Sequence, residues 1–151
     1  EGTVSDNEIT ANTKAGVLIK TSANPVVARN QIAKGLETGV YVFDSGLGKL
    51  EGNEICDNAN AGVLVTTDGM PFVSKNRISR NAYEGVWICK KGRGTFEMND
   101  LRQNAKGTMV AEPRDLKTSP WQLGLRAYVV EKSKNERLRV ATHYRICLLA
   151  T

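Results

Sequence analysis

Carboxylates are the first residues to weigh in this chain, because paired acids are the commonest route to bond cleavage without a cofactor. Sugar cleavage needs two of them about 5–9.5 Å apart across the scissile bond. Asp44 with Asp68, and Glu51 with Glu97, are the pairs whose spacing permits such an approach. Ordinary turn and surface roles explain both pairs more simply, since Asp is a favoured turn residue. His143 is the only histidine and has no Ser, Cys or carboxylate partner identifiable by motif. Cys56, Cys89 and Cys147 are widely spaced and lack any Cys-x-x-Cys pairing, so no zinc spacing exists. Gly92-Arg93-Gly94 is a corner and not part of a phosphate or dinucleotide loop. The sequence therefore points to no catalytic residue, no metal and no cofactor. It points to a non-enzyme whose chemistry is binding. The binding candidates are Leu18, Tyr41, Leu64 and Trp87, each 23 residues after the last, with Phe43 beside them.

That interval is the period of the whole chain. Asn7-Glu8-Ile9, Asn30-Gln31-Ile32, Asn53-Glu54-Ile55, Asn76-Arg77-Ile78 and Asn99-Asp100-Leu101 follow one another at 23 residues without insertion or deletion. A fixed period of this length marks a solenoid, whose units cannot bury their apolar sides alone. In rows of 23, one apolar column reads Val4, Val27, Leu50, Val73, Phe96 and another Ile9, Ile32, Ile55, Ile78, Leu101. Two more run Val17, Val40, Val63, Val86 and Ile19, Val42, Val65, Ile88. Their β-branched character suits strands. The last two columns are separated by one residue, so they share a face and the residue between them points away. That intervening column is the Leu18, Tyr41, Leu64, Trp87 set, and Lys20, Phe43, Thr66 and Cys89 point outward two residues on.

The corners agree. Asn12, Gly35, Asn58, Asn81 and Asn104 hold only Asn and Gly, which take the left-handed conformation most easily. Gly16, Gly39, Gly62 and Gly85 open the Val-x-Ile strands. The column Asn7, Asn30, Asn53, Asn76, Asn99 reads as a structural amide ladder, because coils stacked about 4.8 Å apart bring like side chains within hydrogen-bonding reach. The expectation is an all-β, single-stranded right-handed parallel β-helix with 23-residue coils, over residues 1–107 and roughly 24 Å tall. Glu8, Gln31, Glu54, Arg77 and Asp100 form an outward column in which Arg77 lies between two acids.

After Asn104-Ala105-Lys106 the glycine arrives one residue early, and Thr108-Met109-Val110 is a worn strand. Residues 108–151 form a non-repetitive C-terminal segment, either a cap or a variant tail, with Leu125 to Ile146 patterned as a hairpin about Ser133-Lys134-Asn135. Residue 1 is Glu and falls inside the repeat, which reads as an excerpt of a longer solenoid protein or as a chain whose N-terminal partner domain is missing.

Net charge is +5, most of it beyond Gly107, where eight basic residues face four acidic ones. The near-neutral repeats lack the basic stripe that nucleic acid requires, so no nucleic-acid partner is expected. No apolar run approaches a membrane span. An odd set of unpaired cysteines and the absence of any Asn-x-Ser/Thr sequon suit the cytoplasm or nucleus.

Gly39-Val40-Tyr41-Val42-Phe43-Asp44-Ser45-Gly46-Leu47-Gly48, Leu50-Glu51-Gly52-Asn53-Glu54-Ile55 and Asn24-Pro25-Val26-Val27-Ala28-Arg29-Asn30 resemble right-handed parallel β-helix repeats. Over residues 1 to about 107 the resemblance is closest to the CASH-type repeats of the β-helical F-box-only proteins. It implies substrate recognition for a cullin-based ubiquitin ligase, although neither an F-box nor a zinc-finger cysteine cluster occurs in this sequence. The same repeat family is shared with carbohydrate-binding proteins and sugar hydrolases, so a carbohydrate-binding or carbohydrate-cleaving β-helix is the alternative. The expected partner is a protein, or else a carbohydrate, held on Leu18, Tyr41, Leu64, Trp87 and Phe43. A segment folding over this stripe is the competing explanation for it.

Overall fold

A computed structural model describes residues 2–111 and 127–129. Each 23-residue row supplies three short strands, and strands of equal position stack in parallel across rows. The first sheet contains β1 (Thr3–Ser5), β4 (Val26–Ala28), β7 (Lys49–Glu51), β10 (Phe72–Ser74), β13 (Thr95–Asn99) and β15 (Ala127–Val129), in that order. The second contains β2 (Glu8–Thr10), β5 (Gln31–Ala33), β8 (Glu54–Cys56) and β11 (Arg77–Ser79). The third contains β3 (Val17–Ile19), β6 (Val40–Val42), β9 (Val63–Val65), β12 (Glu84–Ile88) and β14 (Gly107–Ala111). Pairing falls on the expected period, with Val27 opposite Leu50, Ile32 opposite Ile55 and Val40 opposite Val63. The described residues form an all-β solenoid of about five 23-residue coils.

The four apolar columns meet inside. Val27, Ile32, Val40, Val42, Leu50, Ile55, Val63, Val65, Val73, Ile78 and Val86 are fully buried in one continuous core. Burial of this kind, about 1.5–3 kcal/mol for each large aliphatic side chain, is the main force holding coil to coil.

Polar groups at the corners are satisfied by asparagine. The Asn53 amide donates to Asn76 Oδ1 at 2.8 Å and to the Val27 carbonyl at 2.9 Å, while its own Oδ1 accepts from the Asn30 main-chain N–H at 2.9 Å. One side chain thus ties three coils together. Asn7, Asn30, Asn76 and Asn99 continue the ladder with the same 23-residue contacts.

The Asn12, Gly35, Asn58, Asn81, Asn104 column behaves differently from its expected role as the left-handed turn. Positive φ falls one residue earlier, at Ala11, Lys34, Asp57, Arg80 and Gln103. The asparagines form a second ladder, in which Asn58 Nδ2 donates to Asn81 Oδ1 and Asn81 Nδ2 to Asn104 Oδ1, both at 3.0 Å. A buried corner leaves main-chain N–H groups that need acceptors, and a side-chain amide supplies them better than a freer backbone would. Gly35 interrupts this ladder, yet its N–H still donates to Asn58 Oδ1.

The early glycine causes no slip. Gly107 pairs with Glu84 and Val110 with Trp87, so Thr108 takes the position held by Gly85 one coil before. A Cβ at Gly85 would lie 2.7 Å from the Thr108 carbonyl oxygen, so a further coil stacked directly on it forces glycine there. Of the hairpin expected at the C-terminus, residues 127–129 form β15, which pairs in parallel with β13. Its turn and second arm lie outside the described residues.

Candidate functional site

The Val-x-Ile strands of the third sheet send their flanking residues into the core and the middle residue outward. Register therefore aligns Leu18, Tyr41, Leu64, Trp87 and Val110 in one vertical row. Neighbours in that row are about 4.8 Å apart. Leu18 is 49% exposed and Val110 37%, while Tyr41, Leu64 and Trp87 are half-buried.

Aromatic contacts thicken the row. Tyr41 and Phe43 stack with ring centroids 4.6 Å apart, and the Tyr41 hydroxyl sits 3.2 Å from Thr66 Oγ1. Tyr83 stacks against Trp87 at 6.1 Å, and Lys106 Nζ lies 4.8 Å over the Tyr83 ring. The second outward column contributes less than its pattern promised. Phe43 is half-buried and Lys20 exposed, but Thr66 and Cys89, just past the ends of β9 and β12, are buried.

Tyr83, Lys106 and Val110 belong to this face and were missed from sequence. Val110 was recoverable, because holding the 23-residue register through Thr108 places it directly under Trp87. Tyr83 shares a corner column with Lys14, Glu37 and Asn60, whose types announce no common role.

Of the candidate acids, Glu51 behaves as a counterion and Asp44 as a turn residue. Asp44 accepts a hydrogen bond from the Thr21 hydroxyl at 3.1 Å in an exposed corner. A hydrogen bond from Lys49, at 2.5 Å, holds the Glu51 carboxyl below its ordinary range, with Lys75 assisting. Asp57 is likewise lowered by Arg80, Asp6 by Arg29 and Asp100 by Arg102. A general acid for sugar cleavage needs the opposite displacement. The pairing expected in the outward column of the second sheet is divided. Arg77 lies 3.6 Å from Glu54, whereas Asp100 is engaged by Arg102. No cluster of three or more metal-ligating side chains occurs among the described residues. His143 and Cys147 lie outside them. No helix among the described residues is long and apolar enough to cross a membrane.

A family described as a right-handed β-helix region matches residues 1–116. The chain belongs to the right-handed β-helix family. No curated protein and no solved structure matches it. Family membership gives this β-helix its coil geometry and hand, and its function has to be argued from the outward face of the third sheet.

Proposed function

We propose that this β-helix is a non-catalytic recognition module that holds a partner protein on the outward face of its third sheet. The observation that carries the reading is the register of Leu18, Tyr41, Leu64, Trp87 and Val110, which gathers five large apolar side chains into one row. Such rows are seldom left bare on monomers, and Tyr and Trp are frequent interface anchors. The finer reading places the module in the cytoplasm or nucleus as the substrate-binding part of an F-box-type ubiquitin ligase receptor. Its support is the resemblance of the Gly-Leu-Gly and Asn-Pro corners and their flanking strands.

Affinity capture compares the wild-type chain with Tyr41→Ala and Trp87→Ala, with circular dichroism checking that both variants fold. The proposal expects each substitution to abolish capture of a protein partner, and co-capture of a cullin scaffold would support the ligase role. Undiminished capture by both folded variants removes this face from consideration.

A second reading, carbohydrate binding, draws on the stacked Tyr41–Phe43 rings beside the Thr21–Asp44 hydrogen bond, since flat rings and short polar groups also suit sugars. A glycan array on which the wild-type chain binds and Tyr41→Ala does not would favour it.

A further inference from the structure

Resting on that recognition face, we infer that its C-terminal end selects a protein segment carrying carboxylates beside an apolar anchor. Charge along the face is polarised. Around the second and third coils its flanks carry Glu37, Asp44 and Asp68, with Glu37 paired to Lys14 at 2.9 Å. Around β12 and β14 the flanks carry lysines instead. Lys106 lies over Tyr83 at one end of β12, and Lys90 with Lys91 stands exposed at the other. Glu84 is the one carboxylate on β12 and is half-buried.

The lysine pair is unusual for its place. Lys90 and Lys91 occupy consecutive left-handed positions, with φ of 47° and 68°. Preceding coils fill the same corner with Thr21-Ser22, Asp44-Ser45 and Thr67-Asp68. Short polar side chains tolerate that conformation through local hydrogen bonds, which lysine cannot imitate. Arg29, Lys75 and Arg80 are also left-handed and each reaches a carboxylate within the protein, while Lys34, left-handed at a corner of the second sheet, stands singly and away from the apolar row. Lys90 and Lys91 form no ion pair with any described residue, so the two charges remain available to an external acid.

The geometry fits an extended segment lying across the sheet. Its apolar side chain would rest against Trp87, flanked by Leu64 and Val110 and near Tyr83, and its acids would reach Lys106 on one side and Lys90–Lys91 on the other. Those lysine groups are separated by the length of β12, about 17 Å for five residues. Nucleic acid is disfavoured because an apolar row divides the positive charge where a phosphate backbone needs a continuous basic stripe.

The test uses the full chain and labelled polymers read by fluorescence anisotropy. A random copolymer of glutamate and tyrosine is the probe, with polyglutamate and polygalacturonate as comparisons. Expected is preferential binding of the copolymer, weakened about tenfold or more in the double variant Lys90→Gln/Lys91→Gln and in Tyr83→Ala, and weakened by salt. Equal binding of polyglutamate would reduce the site to bulk charge and overturn the inference. Preference for polygalacturonate would overturn it in favour of a sugar acid, and a copolymer that fails to bind, or binds the variants equally, would also overturn it. Should the copolymer test fail while Tyr41→Ala still abolishes partner capture, the recognition face survives and only its acidic selectivity falls.

Discussion

The second and third sheets share one backbone plan and the same kind of buried columns, Ile32, Ile55 and Ile78 in one and Val40, Val63 and Val86 in the other. Outside they diverge. The surface of the second sheet and its corners is self-satisfied, with Arg29 bonded to Asp6, Arg80 to Asp57 and Arg77 near Glu54, each pair 23 residues apart. The third sheet carries Leu18, Tyr41, Leu64, Trp87 and Val110, which contribute nothing comparable to solubility. Interior columns fix how the coils stack, and the exterior is free to vary from sheet to sheet. The surface that departs from what stacking and solvation require is the one to which a function can be assigned.

If the interior alone governs stacking, a change there should dwarf any change outside. Gly62→Ala is a severe case, because its Cβ would lie 2.2 Å from Ile78 Cγ2 and 2.8 Å from the Gly85 carbonyl oxygen. One contact is backbone and cannot swing away, so a loss of about 3 kcal/mol or more is expected in urea unfolding. An unchanged midpoint would mean that coil spacing is soft, and the registered outward row would lose its basis. Asn53→Ala comes next. It removes the acceptor for the buried Asn30 N–H and the donor to Val27, for an expected cost of about 2–3 kcal/mol. Asn7→Ala, at an exposed end of the same ladder, should cost clearly less.

Much of this was legible in sequence because a period of 23 converts chain distance into vertical neighbourhood. Any residue type that repeats then reports its environment, as the Ile32–Ile55–Ile78 column did. What the period leaves open is how one residue type is used. An Asn at a corner can supply a left-handed backbone or a lateral amide, and only the stacked neighbours of Asn58 and Asn81 decide for the amide. The outward row was visible for the same reason that the core was, alternation along a strand. Tyr83 and Lys106 were not, since a corner fixes side-chain direction by local φ and ψ and not by period. Thr66 and Cys89 misled in the opposite way, because they lie just past β9 and β12, where strand alternation no longer fixes direction.

Cys56 offers a sharper probe of the second sheet, where an outward position has become buried. Burial, with smaller contributions from Asp57, pushes its thiol up to about 11 from an ordinary 9.0. A thiol whose folded pKa is raised leaves stability unaffected below pH 9. Between pH 9 and 11 the unfolded chain ionises first, so the folded state should lose up to about 2–3 kcal/mol across that window. Subtracting the pH profile of Cys56→Ala isolates this residue. A flat difference would place the thiol in contact with water and return Cys56 to the solvated exterior.

Arg80→Ala should produce the smallest effect and the most telling contrast with Asn53→Ala. The Arg80 guanidinium holds both Asp57 oxygens, at 2.9 and 2.8 Å, but both side chains are exposed and exposed pairs contribute little. Its hydrogen bond also depresses the Asp57 carboxyl. The contribution is therefore present above the ordinary Asp pKa and lost as pH falls through the depressed one. The variant should differ slightly from wild type at neutral pH and low salt, and the difference should close both in acid and at high ionic strength. A loss rivalling that of Asn53→Ala would show that cross-coil ion pairs help set the stack, and the second sheet could no longer serve as the bland surface against which the third stands out.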